Sequence, residues 1–217
     1  MNLKSKTIAL DPQGRPRGGA DGDEAVRIEL ARLDQGGMVN RRQRRTMQSA
    51  AARQLLAATL RKQWGDRQAG LWALEKSNNG QPCLGGAKAP SISLTHSGNW
   101  IACAVATSNC VGLDIEEVKL RDWEALAPAV LHPSEMPWVL DGSAAEQSQR
   151  GLLCWCRKEA IVKALGVGLS APISLSNIGF SPSGELLALP DSLGSSSGWM
   201  SYSEIIGSEL VVAAAWR

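Results

Sequence analysis

Nowhere in the chain do about 18 apolar residues run uninterrupted, the length a helix needs to cross a bilayer, and the N-terminus has no apolar stretch of signal-peptide length. The expectation is a protein that neither spans a membrane nor is exported by that route. A strong charge of one sign is also missing: 23 Lys and Arg against 21 Asp and Glu give a formal net charge of +2. The total therefore names no partner, and any basic surface must come from local clustering. Paired cysteines are lacking too. Cys83, Cys103, Cys110, Cys154 and Cys156 are odd in number and include no C-x-x-C, which argues against a disulfide framework or a zinc site. Free thiols in a reducing, cytoplasmic setting are expected. Histidine is limited to His96 and His132. What is present is ordinary globular material: 217 residues with 44% hydrophobic content, enough to bury a core in one large domain or two small ones.

The most informative stretch is Val111–Glu117, V-G-L-D-I-E-E. As a strand it turns Val111, Leu113 and Ile115 one way and Gly112, Asp114 and Glu116 the other. Two carboxylates on one strand face can hold a hard cation such as Mg²⁺, with water and a substrate phosphate completing the octahedron. Exposed acids alternate with apolar residues on many strands, so the motif needs support from elsewhere.

Residues 1–24 are polar and rich in breakers, so a loose arm is expected with at most a short strand near Thr7–Leu10. Val26–Leu33 alternates as a strand, ended by a turn at 34–37. The basic run Arg41-Arg42-Gln43-Arg44-Arg45 leads into a helix predicted over Met47–Gln63. It is either a solvated face or an anion site, since a guanidinium fork and a helix N-terminus both favour phosphate. Trp64 and Trp72 read as packing residues. A hairpin follows, Ser91–Thr95 and Trp100–Ala106, with Thr95, His96 and Ser97 clustered as donors at its tip.

Beyond the carboxylate strand, Leu131–Glu135 reads as a helix start with Ser134 as cap, and His132 as structural. Glu146–Leu165 is the longest helical signal, and Trp155, Glu159 and Lys163, four apart, share a face. On its own this is a surface Glu–Lys pair. If that face meets the carboxylate strand, Glu159 becomes a third acid and Lys163 a positive charge for a leaving phosphate. Pro172–Phe180, Glu185–Leu189 and Glu209–Trp216 are strand-like. The pattern strand, helix, late hairpin strand occurs twice, which predicts an α+β fold of two similar halves about a pseudo-two-fold axis, 25–108 and 109–217, with the active site in the cleft between them.

Three stretches, Leu94-Thr95-His96-Ser97-Gly98, Val111-Gly112-Leu113-Asp114-Ile115-Glu116 and Trp155-Cys156-Arg157-Lys158-Glu159-Ala160 with Lys163-Ala164, together resemble the 4′-phosphopantetheinyl transferases of the surfactin-synthetase-activating type. The resemblance implies an enzyme that moves the phosphopantetheinyl arm of coenzyme A to a serine of an acyl or peptidyl carrier protein, releasing adenosine 3′,5′-bisphosphate. It implies Asp114, Glu116 and Glu159 as ligands of Mg²⁺ on the pyrophosphate, with Glu159 as ligand or as base. His96 and Thr95 would lie at a coenzyme phosphate, Lys163 at the departing bisphosphate, and Arg41, Arg45 and Arg53 would be candidates for the 3′-phosphate. The chemistry agrees, because phosphoryl displacement needs charge neutralisation and alignment more than a covalent intermediate, and an all-oxygen donor set favours Mg²⁺ over Zn²⁺.

Two positions depart from the family pattern. Gly80-Gln81-Pro82 stands where G-K-P is common, removing a cationic coenzyme contact, and Thr95 stands where Ser is frequent. A nucleic-acid-binding module using Arg41–Arg45 and a Mg²⁺-dependent phosphohydrolase are the competing readings. The first is weakened by the lack of aromatics in the basic run. Two walls from one chain point to a monomer, and neither a nucleic-acid nor a membrane partner is expected.

Overall fold

Residues 5–17, 24–33, 40–167 and 173–217 are described by a computed structural model. The expected loose arm is instead partly built into the fold. Strand β1 (Ser5–Leu10) pairs antiparallel with β3 (Val26–Arg32), and the short β2 (Pro16–Arg17) pairs with β1. Ile8 and Leu10 are buried, so the core fixes this segment although its flanks are polar. The turn expected at 34–37 lies outside the described residues.

Helix α1 (Arg41–Ala69) is longer than the predicted 47–63, interrupted near its end by Gly65 at φ 78°. Asn40 accepts from Gln43 N while the Gln43 side chain accepts from Asn40 N. This capping box starts the helix ahead of the arginines and places them in its first turns. After the hairpin β4 (Ala73–Lys76) and β5 (Pro82–Gly85), which the sequence reading did not separate from a turn, come β6 (Ser91–Ser97) and β7 (Trp100–Ala106). Trp64 and Trp72 pack edge to face, ring centres 5.3 Å apart.

The carboxylate stretch forms β8 (Val111–Glu117). It is followed by α2 (Trp123–Val130), α3 (Met136–Val139) and α4 (Ala144–Leu165). Short strands β9 (Gly179–Phe180) and β10 (Leu186–Ala188) precede the hairpin β11 (Met200–Ile206) and β12 (Leu210–Trp216). Ser143 caps α4 in a second capping box with Glu146, and Gly166 in the left-handed region ends it. Ser134 does not cap α3. Its hydroxyl bonds the His132 ring instead, and the helix begins at Glu135. The predicted strand 172–180 shrinks to Gly179–Phe180, with Leu175–Asn177 as a 3₁₀ turn and Pro172 outside the described residues.

The five-stranded sheet runs β2-β1-β3-β7-β6, and a three-stranded sheet runs β11-β12-β8. Both contain the same antiparallel unit: β3-β7-β6 under α1 corresponds to β8-β12-β11 under α4. The halves are thus alike in topology, as the sequence pattern predicts. Their inner faces share one core, in which Ile28, Leu30 and Ala104 meet Leu113, Ile115 and Val212.

Two close approaches fix α4. A Cβ on Gly112 would stand 1.9 Å from Ala160 O and 2.5 Å from Ala164 N, so the helix backbone lies directly on β8. One on Gly151 would stand 2.2 Å from the Trp123 ring. Gly112→Ala is expected to destabilise the protein by about 3 kcal/mol, at the upper end for overpacking because backbone cannot yield. Chemical denaturation measures it, and a variant as stable as the parent would contradict this packing.

Candidate active site

Asp114 and Glu116 occupy the face of β8 turned toward α4, while Val111, Leu113 and Ile115 enter the core. Strand alternation and the register of β8 on β12, Asp114 opposite Ala213 and Glu116 opposite Val211, hold them there. Glu159 and Lys163 come from the facing side of α4. Lys163 Nζ donates to Asp114 Oδ1 at 2.6 Å, to Thr95 Oγ1 at 3.2 Å and to Leu113 O at 3.1 Å. Thr95 Oγ1 in turn donates to Asp114 Oδ1 at 3.2 Å. One lysine thus joins β6, β8 and α4, and the helix face predicted by four-residue spacing does meet the carboxylate strand.

The acids are crowded and largely dry. Asp114 is 5% and Glu159 6% exposed. Burial first, and the Asp114 charge second, push the Glu159 carboxyl up to about 6. Burial also raises Glu116, against a lowering bond from Ser97. The Cys156 thiol beneath them is fully enclosed, and burial with the charges of Asp114 and Glu116 pushes it well up. It stays a neutral packing group rather than a nucleophile.

The hairpin tip brings the third element. His96 is exposed, and its ring is held below the usual histidine range by lost hydration first and then by the charges of Lys163 and Arg45. Gln48 Nε2 donates to Gly98 O at 2.6 Å, tying α1 to the tip and bringing Arg45 near His96. Arg41 lies exposed in the first turn of α1. Arg53 does not join them. It lines a separate groove of about 470 Å³ with Leu56, Leu60, Asp66 and Leu74. Eight residues beyond Arg45, it lies about 12 Å further along the helix. Gln81 faces a cavity of about 260 Å³ that also reaches Cys83, Asn109 and Lys163, and its neighbour Asn79 donates from Nδ2 to Gly166 O at 2.8 Å.

Among the described residues, no three His, Cys, Asp or Glu side chains form a ready metal cage. The donors nevertheless fit a hard cation. Asp114 Oδ2 and Glu159 Oε1 are buried without a hydrogen-bond partner, and all the candidate ligands are oxygen. Ser97, expected as a free phosphate donor, instead bonds Glu116. Arg121, whose Nη2 lies 3.9 Å from Glu116 Oε2, escaped the sequence reading.

Part of this chain is similar to known proteins. Residues 110–215 match the family model of the 4′-phosphopantetheinyl transferase superfamily, a span that holds β8, α4 and the second hairpin. Among curated relatives, the 4′-phosphopantetheinyl transferase Sfp of Bacillus subtilis is 31% identical over 114 residues, 52% of this chain and 50% of that protein. A 4′-phosphopantetheinyl transferase of Bacillus pumilus is 34% identical over 118 residues, 54% and 50%. One from Salmonella typhi is 37% identical over 92 residues, 40% and 46%. The resemblance carried by the three motifs is borne out by these matches. The chain spans about half the length of the curated relatives it matches.

Proposed function

We propose that this protein is a 4′-phosphopantetheinyl transferase that moves the phosphopantetheinyl group of coenzyme A to a serine of an acyl or peptidyl carrier protein. The observation that carries the reading is the convergence of Asp114, Glu116, Glu159 and Lys163 beside Thr95 and His96. The family model bearing that name matches residues 110–215, the stretch that supplies the four β8 and α4 groups.

In this reading Asp114, Glu116 and Glu159 hold Mg²⁺, which when bound neutralises pyrophosphate charge. Burial first, and the neighbouring acids' charge after it, raise the Glu116 and Glu159 carboxyls, and a cation would favour their ionised forms. Glu159 is also suited to take the serine proton at Oε1, since a carboxyl near 6 accepts protons more readily than an ordinary glutamate. The serine Oγ forms a bond to the phosphorus carrying pantetheine as the bond to the bridging oxygen breaks. That oxygen leaves with adenosine 3′,5′-bisphosphate. Lys163 Nζ, held on Asp114 at the edge of the acidic cluster, stabilises it. His96 and Arg45 bind coenzyme phosphates, with Arg41 one turn before Arg45 on the same helix, while Arg53 faces a separate groove. We place the protein in the cytoplasm as a monomer of two halves, 25–108 and 109–217, with β1 and β2 added to the sheet of the first. The free thiols of all five cysteines agree with a reducing compartment.

Intact mass of apo carrier proteins incubated with this protein, coenzyme A and Mg²⁺ tests the reading. One phosphopantetheinyl unit should be gained, and none when a chelator is present from the start. Unmodified carriers alongside hydrolysed coenzyme A would point to a phosphohydrolase instead.

A further inference from the structure

Strand β6 borders β8, yet the two belong to different sheets and their edges are joined by side chains. Ser93 Oγ accepts Leu113 N at 3.0 Å, and Ser97 Oγ accepts Glu117 N at 3.2 Å. Thr95, between them, bonds Asp114 and Lys163. Alternate hydroxyls thus stand in for a backbone ladder along the junction of the halves.

At Ser97 the arrangement has a chemical direction. A serine hydroxyl has one proton, and because this oxygen accepts Glu117 N, the proton is given to Glu116 Oε2, 2.8 Å away. The next carboxylate is held by the same turn from the other side, where Asn99 N donates to Glu117 Oε1 at 2.9 Å. A Cβ on Gly98 would stand 1.7 Å from that oxygen, so only glycine lets Glu117 lie over the turn. Glu116 and Glu117 are each tied to the β6–β7 turn, and neither carboxylate can swing without breaking a bond.

We propose that Ser97 is a positioning residue that sets the Glu116 carboxylate for a divalent cation. The inference rests on the transferase reading of this site. Losing a group that hydrogen-bonds a ligating carboxylate typically costs about 10–100-fold in metal affinity.

Mn²⁺ is the probe, its binding to the intact protein with coenzyme A followed by loss of the free-ion electron paramagnetic resonance signal. Ser97→Ala should weaken Mn²⁺ by about tenfold, and Ser97→Thr, which keeps the hydroxyl, should stay within about twofold of the parent. Ser93→Ala removes an equivalent hydroxyl from the same junction without touching a carboxylate. It should lower the melting temperature about as much as Ser97→Ala yet leave Mn²⁺ affinity unchanged. If Ser97→Ala does not fold, Ser97→Cys, a weak donor, carries the same comparison. Equal Mn²⁺ affinity in Ser97→Ala and the parent overturns the proposal, as does equal weakening by Ser93→Ala, which would make the effect one of general packing. Absence of both Mn²⁺ binding and transfer in the parent overturns the functional reading, and the positioning role with it.

Discussion

Glu159→Gln is expected to abolish transfer and to make the protein more stable at neutral pH. Burial and the Asp114 charge hold the Glu159 carboxyl at about 6 in the folded protein, above the ordinary glutamate value near 4.3. The folded state therefore holds this proton to higher pH than the unfolded chain does. As pH rises from about 4 to 6, the unfolded chain ionises first and stability falls; above about 6 the full cost persists. A shift of this size corresponds to at most about 2 kcal/mol. Gln keeps the shape and removes the charge, so its melting temperature should exceed that of the parent at pH 7.5, with the gap narrowing toward pH 5. Transfer should fall by about a hundredfold or more if Glu159 takes the serine proton. A variant less stable than the parent at pH 7.5 would show that the carboxylate is held by favourable contacts rather than against repulsion. Full activity would remove Glu159 from the chemistry. An active site that costs stability in this way exchanges it for function.

The part of the site lying on single elements was legible in the sequence. Strand alternation placed Asp114 and Glu116 on one face, and four-residue spacing placed Glu159 and Lys163 on another, because both periods follow from local backbone geometry. Their meeting was legible only as a condition, since it depends on Gly112 letting α4 rest on β8, a tertiary fact. Ser97 was read as a free donor because its partner, Glu116, is 19 residues away on another sheet. Arg53 was grouped with Arg45 through the family resemblance, while helical rise and rotation carry it to another groove.

Elements were missed for similar reasons. The stretch around Asp122 and Glu124 gives no helical signal, yet Asp122 caps α2 and Trp123 is buried against Gly151. Tertiary burial outweighs the missing local signal. Strand β11 is half-buried along its whole length, so neither face shows the strong alternation that marks a strand. The tie between β1 and the core likewise rests on pairing with β3, whose partner residues lie about twenty positions away.

Lys158→Met is expected to cost more stability than any change at the acidic cluster. Lys158 sits beside Glu159 in sequence but points away from the site, with side chains of Lys158 and Glu135 only 0% and 1% exposed. Its Nζ donates to Glu135 Oε2 and to Val130 O, both at 2.6 Å. Glu135 also accepts His132 N at 2.8 Å and Phe180 N at 3.0 Å. The pair therefore ties α4 to the end of α2, the start of α3 and β9. Removing the ammonium strands a buried carboxylate with only neutral donors and leaves Val130 O unpartnered, a loss of about 3–5 kcal/mol. Against a typical total of about 5–15 kcal/mol, the melting temperature should drop by about 10 °C or more. Glu135→Gln combined with Lys158→Met removes the uncompensated charge and should recover much of the loss, because a neutral buried pair carries no ionic desolvation penalty. Thermal denaturation of both variants decides the point. A single variant melting within about 3 °C of the parent, or a double variant no better than the single, would mean that water reaches Glu135 and that the pair is not the anchor of the helix carrying Glu159 and Lys163.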